Sequence, residues 1–259
     1  MGVVNLSDDS FSGDGCGGDI ERAVAQGLRL VEEGADLLDL GAESSRPGAA
    51  SISAEVEIER LLPVLERLVP CGLPISVDTV KPQVMRAACA AGAAMINDIQ
   101  ALEAPGALAA AAECRAAVCL MHMQGRPATM QMQPSYGEVV QEVLVYLAQR
   151  LAAALAAGIG RERLLVDPGF GFGKTLEHNL ALLRNLDRFA ELGVPVLVGM
   201  SRKSMLGDIT GRPVGERQYA SVAAAMLAAS RGANILRVHD VAATRDALAV
   251  QQAVNMDIP

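Results

Sequence analysis

Polar residues stand at the ends of short apolar runs along this chain: Asn5 in VVNL, Asp39 in LLDL, Asp78 in ISVD, Asn97 in MIND, His122 in VCLMH and Asp167 in LLVD. An unpaired polar group buried at such a position costs roughly 1–3 kcal/mol, so each needs a partner. For any single Asp or Asn the ordinary partner is the N-terminus of the next helix. A set that converges on one place points instead to a ligand. Asp167 opens DPGFGFGK at 167–174, where Pro168 stiffens the turn and alternating Gly and Phe allow close backbone approach beside aromatic surface. Its carboxylate can accept two parallel N–H bonds, which suits the amidine-like edge of an amino-pyrimidinone. The same segment lacks the spacing of a Walker phosphate loop.

Cations form the second set. Arg46 lies in the loop GAESSRPG at 41–48, Arg202 and Lys203 in VGMSRKS at 198–204, and Arg237 with His239 in LRVHD at 236–240. Placed two apart on a strand, Arg237 and His239 are expected to share a face. Such a cluster matches what a diphosphate requires.

Eight short apolar runs, at 3–6, 37–40, 75–78, 95–98, 118–122, 164–167, 196–199 and 235–240, have the length of buried strands. Between them, stretches such as 20–33, 54–68, 139–157, 176–192 and 219–231 carry helical character, and the Ala-rich runs at 107–112 and 152–157 read as helix as well. Alternation of strand and helix implies a parallel sheet with right-handed crossovers, and eight units is the number that closes into a (β/α)8 TIM barrel. An open doubly wound sheet is the rival. It would concentrate polar residues at one switch point and usually carry GxGxxG after its first strand, whereas here they recur at almost every strand end. In a barrel those ends meet at one mouth.

The 259 residues read as one domain, 1–259, of which 51% are hydrophobic and 20% charged. A net charge of -8 argues against a nucleic-acid surface or a polybasic membrane anchor. Five scattered cysteines without a CxxC pair suggest reduced thiols and a cytoplasmic location. No stretch reads as long and apolar enough to span a bilayer, and the first residues do not resemble a leader.

NLSDDSFS, ESSRPGA, ISVDT, INDI, LMHMQG, DPGFGFGK, GMSRKS and RVHD occur in that order over nearly the whole chain, and together they resemble the signature segments of bacterial dihydropteroate synthases, a pterin-binding family. The resemblance implies condensation of hydroxymethyl-dihydropterin diphosphate with para-aminobenzoate on the folate pathway, a homodimeric barrel and inhibition by sulfonamides. It implies a pterin site at Asp78, Asn97, Asp167 and Lys203. A diphosphate site at Asn5, Arg46, Arg237 and His239 follows, with Mg²⁺ near Asn5. A para-aminobenzoate site falls at Ser45, Phe172 and Ser204. Lys203, Arg237, His239 and Asp78 would carry the catalysis.

The chain departs from the pattern of that family in its first two loops. It has Ser7-Asp8 where the family reads Thr-Pro, and Ser45 where it reads Thr. Asp8 frees the backbone and adds negative charge, which points to weaker loop closure, with Asp8→Pro as the discriminating variant. Family members also carry a short segment before the first strand, whereas here Gly2 and Val3 begin that strand, so the segment is expected to be absent. Three other readings compete: a pterin-dependent methyltransferase domain that delivers methyl to a corrinoid, a pterin-binding paralogue without turnover, and an unrelated barrel acting on phosphorylated sugars. The first leaves the cation set unexplained. Diphosphate release tests the second, and the third calls for a Gly-rich grip after strands seven and eight, where SRKS stands.

Overall fold

The computed structural model describes residues 1–7, 16, 19–44, 51–127 and 129–255. Eight short strands alternate with helices, in the order β1 Gly2–Asn5, α1 Ile20–Glu32, β2 Leu38–Gly41, α2 Ala54–Leu68, β3 Ile75–Asp78, α3 Pro82–Ala90, β4 Met95–Asp98 and α4 Ala107–Glu113. The chain continues through β5 Ala117–Met121, α5 Val139–Ala156, β6 Leu164–Asp167, α6 Leu176–Arg184, β7 Leu197–Val198, α7 Ser204–Thr210, α8 Gln218–Ala229, β8 Ile235–Leu236 and α9 Val241–Asn255. Strands β1 to β6 pair in parallel in chain order, and β7 pairs with β8. Single parallel bridges, Val166 to Val196 and Gly2 to Val238, join the two sheets on both sides and close the barrel.

Strand periodicity decides what fills it. Side chains alternate faces, so Leu38, Leu40, Ile75, Val77 and Ile96 point outward into the apolar layer between strands and helices. Inward positions carry an apolar floor of Met95, Cys119, Leu165 and Leu197. Two residues further along the same strands come Asn97, Met121, Asp167 and Gly199, which line the mouth. One alternation thus builds a dry floor and a polar rim.

Helices α1, α2 and α6 begin where short polar side chains receive backbone N–H groups. Asp19 accepts from Arg22 and Ser53 from Val56, and Thr175 with His178 forms a reciprocal capping box. The helix expected over 176–192 is shorter: α6 stops at Arg184, and 3-10 turns follow over Leu186–Leu192. Asn185 accounts for the break, because its Nδ2 donates to the Ala181 carbonyl at 2.8 Å and competes with the helical ladder. The seventh crossover also differs from one helix per strand, since α7 and α8 both follow β7.

Two further expectations are corrected. Helix α5, with 18 residues, meets the length and composition needed to cross a bilayer. Its Val139, Val143, Leu147, Leu151 and Ala154 nevertheless form a buried stripe packed in the core. The last strand ends at Leu236 instead of running to Asp240. Arg237 and His239 therefore lie beyond it, although Arg237 N–H still donates to the Val198 carbonyl and Val238 N–H to that of Met1.

Candidate active site

Inward residues of the rim surround a cavity of about 430 Å³ at the C-terminal ends of the strands. Asn5, Asp78, Asn97, Asp167, Phe172, Lys203, Ser204, Arg237 and His239 all line it. Residues that the strands hold far apart in sequence are thereby brought together. Ser45, Arg46 and Asp8 lie outside the described residues.

At the centre of this wall a cation is threaded between carboxylates. Arg237 donates from Nε to Asp39 Oδ2 at 2.6 Å and from Nη2 to Asp78 Oδ2 at 3.4 Å. Asn97 Nδ2 donates to the same Asp39 oxygen at 3.3 Å. Burial opposes the charge on Arg237, but Asp39 and Asp78 hold its guanidinium above its ordinary range. Burial pushes the Asp78 carboxyl up to about 7; Asp39 adds to the rise, while Arg237 opposes it. Asp39 Oδ1 and Asn97 Oδ1 are buried without a hydrogen-bond partner in the structure, an acceptor surplus that suits a ligand rich in N–H donors. Asn97 is placed by the segment after it. Asp98 accepts from the backbone of Gln100 at 2.7 Å and Leu102 at 3.0 Å. Arg150 caps the carbonyls of Ala101 and Leu102, both in left-handed backbone.

The sixth loop supplies the opposite wall. Asp167 ends β6 and accepts from Gly169 N–H at 2.7 Å. Burial raises its pKa, and Lys203, that N–H and Lys174 pull against the rise. Glycine is required at 169 and 173: both have positive φ, and a Cβ there would overlap the carbonyl oxygens of His122 and Gln124. The tight path presents Phe172 to the cavity. Lys203 reaches across from the seventh loop, donates to the Phe170 carbonyl at 2.5 Å and lies 4.7 Å from the Phe172 ring centroid. Its ammonium is lowered to about 8, chiefly by burial, with Asp167 opposing the fall.

Loops seven and eight are tied to each other. Arg202 was expected at the mouth beside Lys203, but its side chain turns to Asp240, donating from Nη2 at 2.6 Å and Nε at 3.2 Å. Its left-handed backbone, φ +59°, sends residues 202 and 203 in different directions. Ser201 Oγ accepts from His239 N–H at 3.2 Å and lies 2.9 Å from its Nδ1, which fixes the imidazole beside the cavity.

The second loop is anchored from below. Lys81, at the start of α3, donates to Glu43 at the rim and to buried Glu57 on α2, the latter at 2.5 Å. Burial disfavours the Lys81 charge, yet Glu43 and Glu57 hold its pKa above the ordinary value. Lys81→Met strands two carboxylates and is expected to cost about 3 kcal/mol of unfolding free energy in urea denaturation. An unchanged midpoint would count against a structural role for this triad.

Residues 1–239 match the family model described as pterin binding enzyme. A dihydropteroate synthase of Haemophilus influenzae is 48% identical over 256 residues, covering 98% of this chain and 92% of the relative. The chain belongs to the dihydropteroate synthase family of pterin-binding enzymes. Two solved structures of the Xanthomonas albilineans dihydropteroate synthase superpose closely. The one with 4-aminobenzoic acid is 57% identical with a TM-score of 0.93, covering 99% of this chain and 93% of that one. The complex with 7,8-dihydropteroate is 53% identical with a TM-score of 0.86, covering 99% and 92%.

Within this dihydropteroate synthase family member, sequence reasoning named Asp39 as a strand-end residue but gave it no role. The signal was present: an Asp inside LLDL, on the inward register two residues before Gly41, faces the barrel interior. Ile99, Met121, Met130 and Gln131 also line the cavity. Nothing in their types distinguished them from core or loop residues. As for metal, no cluster of three His, Cys, Asp or Glu side chains suited to an ion occurs among the described residues. Asn5 on the cavity wall offers one amide oxygen. That donor set fits Mg²⁺ only as an ion that arrives with substrate oxygens and keeps several waters.

Proposed function

We propose that this chain is a cytoplasmic dihydropteroate synthase: it condenses 6-hydroxymethyl-7,8-dihydropterin diphosphate with para-aminobenzoate, giving 7,8-dihydropteroate and diphosphate. The observation that carries the reading is the meeting of Asp78, Asn97 and Asp167 with Lys203, Arg237 and His239 on one cavity. Asp167 accepts from the amino-pyrimidinone edge, and Asn97 with Asp78 takes the rest of the ring's polar perimeter. Phe172 and Ser204 flank the para-aminobenzoate side, to which the resemblance also assigns Ser45. Arg237, His239 and Asn5 hold the diphosphate, to which the resemblance also assigns Arg46; the relative's structures with 4-aminobenzoic acid and with 7,8-dihydropteroate support a site for those two compounds.

The chemistry follows from charge. The C–O bond to diphosphate breaks with its electron pair leaving on oxygen, and the methylene carbon becomes electron-poor. Lys203, Arg237 and His239 stabilise the charge growing on the leaving group. Mg²⁺ held at Asn5 with diphosphate oxygens would neutralise part of it when bound. The aryl amine is neutral near pH 7, attacks the carbon through its lone pair and then loses a proton, so no strong general base is required. Assembly into a homodimer across a helical face belongs to the same reading, and exposed Tyr219, Leu227, Val250 and Val254 on α8 and α9 supply apolar surface for it.

Diphosphate release tests the proposal. With both substrates and Mg²⁺, release should match formation of 7,8-dihydropteroate one to one. Tight pterin binding without release would favour the non-catalytic paralogue, and methyl transfer from a methylated pterin would favour the methyltransferase. The pH profile adds a second check. Asp78 accepts hydrogen bonds on both oxygens as a carboxylate, a form lost as pH falls below about 7, where one oxygen becomes an O–H donor. Lys203 is a cation only below about 8. kcat/KM for the pterin substrate, which reports the free enzyme, is expected to peak between these values, and Lys203→Arg to remove the basic limb.

A further inference from the structure

Lys174 is a charged side chain sealed inside the fold, and the chemistry above makes no use of it. Only 3% of its surface is exposed. Its Nζ lies 2.9 Å from His122 Nδ1, 2.9 Å from the Gly169 carbonyl oxygen and 3.0 Å from that of Phe172, with the His122 carbonyl at 3.4 Å. All of these act as acceptors once the His122 proton sits on Nε2. Burial pushes the imidazole down to about 3 and so keeps it neutral. An ammonium has three hydrogens for the three nearest acceptors, whereas a neutral amine would aim its lone pair at one of them. Burial lowers the Lys174 pKa while the Asp167 carboxylate opposes the fall, and the acceptor-only cage favours the cation.

We propose that Lys174 is a positioning residue for the pterin site: its buried ammonium pins the Gly169–Gly173 turn from behind and keeps Asp167 ionised for the heterocycle. The turn is held between two lysines. Lys174 grips the carbonyls of Gly169 and Phe172 from the inside, and Lys203 grips that of Phe170 from the cavity side. Tyr136 fastens the far end by donating to the Gly173 carbonyl at 2.8 Å, and Tyr146 meets the His122 ring edge-on with centroids 4.9 Å apart. Asp167 is faced by Lys174 and Gly169 N–H from its own loop, by Lys203 from the seventh, by Arg237 after β8 and by Cys119 on β5. Lys174 is faced by Asp167, Lys203 and His122. Removing the Lys174 charge takes away one of the cations that favour carboxylate over carboxylic acid at Asp167.

The inference rests on Asp167 as the pterin anchor, and the test separates the two claims. Binding of 6-hydroxymethylpterin is measured by calorimetry from pH 5 to 9 for the parent, Lys174→Gln and Lys174→Arg. Affinity is lost as pH falls through the Asp167 titration, so in Lys174→Gln the loss should begin about one pH unit higher. Lys174→Arg, which keeps the charge, should retain the parent midpoint even if it binds more weakly. The Asp78 titration is common to all three and cancels in the comparison. A uniformly weaker Lys174→Gln with the parent midpoint would reduce Lys174 to a structural strut and overturn the proposal. So would a shift of equal size in Lys174→Arg. A parent that binds no pterin at any pH overturns the pterin reading and this one with it. If Lys174→Gln does not fold, ¹⁵N-lysine NMR of the parent reads the charge directly: an ammonium at pH 7 supports the proposal and a neutral amine overturns it.

Discussion

Asp167→Asn is expected to weaken binding of the pterin diphosphate on the order of 100-fold or more, with the folded structure retained. The substitution keeps size and leaves Gly169 N–H an oxygen to donate to. It replaces one of two acceptor oxygens by a donor that faces the donors of the amino-pyrimidinone edge. The mismatch is worth more than a lost hydrogen bond, because a buried donor is left facing another donor. The Asp167 charge also favours the ammonium form of Lys203 and Lys174, so its loss should raise the cost of both buried cations. Calorimetric titration with and without Mg²⁺ reads the effect. Parent-like affinity in the variant would remove Asp167 from the pterin site.

Arg237→Ala should produce the largest combined effect on activity and stability. Arg237 is the cation between Asp39 and Asp78, and Asp39 is fully buried with one oxygen already unpartnered. Without the guanidinium two carboxylates face each other across the wall, a loss of about 3–5 kcal/mol of stability at pH 8. Part of it is recovered on acidification. Asp78 already has a folded-state pKa near 7, above its unfolded value, and loss of Arg237 raises it further. A carboxyl raised on folding penalises the native state at pH above its folded pKa, and the penalty shrinks as pH falls toward the unfolded value. The variant should therefore gain stability relative to the parent between pH 8 and pH 5.5 in urea denaturation, with kcat/KM at least 100-fold down throughout. Equal stability differences at the two pH values would show that the carboxylates are not what Arg237 compensates.

Much of this organisation could be read from residues. Strand-end polarity located the mouth because inward positions recur every second residue, so Met95 and Asn97, or Leu165 and Asp167, occupy successive layers of one barrel interior. The DPGFGFGK segment revealed its tight turn through glycines that no other residue could replace at 169 and 173. What escaped notice depends on distances across the barrel. Arg202 and Lys203 are adjacent and alike in charge, and only the left-handed φ at 202 sends one to Asp240 and the other to the cavity. Asp39 lies 198 positions from the arginine it binds. Lys174 closes the DPGFGFGK segment and took no role of its own from the sequence, yet His122, 52 positions earlier, helps to close a cage around it. Local pattern specifies which face a residue takes, whereas its partner is set by closure of the whole sheet.

The most direct test of the central claim, that opposed charges on one rim divide a single substrate between them, is a crystal structure with the pterin diphosphate bound. The amino-pyrimidinone edge is expected on Asp167, its ring against Asn97 and Asp78, and phosphate oxygens within reach of Arg237, His239 and Asn5. A pterin bound in the reverse sense, with phosphates toward Asp167, or one lodged outside this cavity, would contradict it.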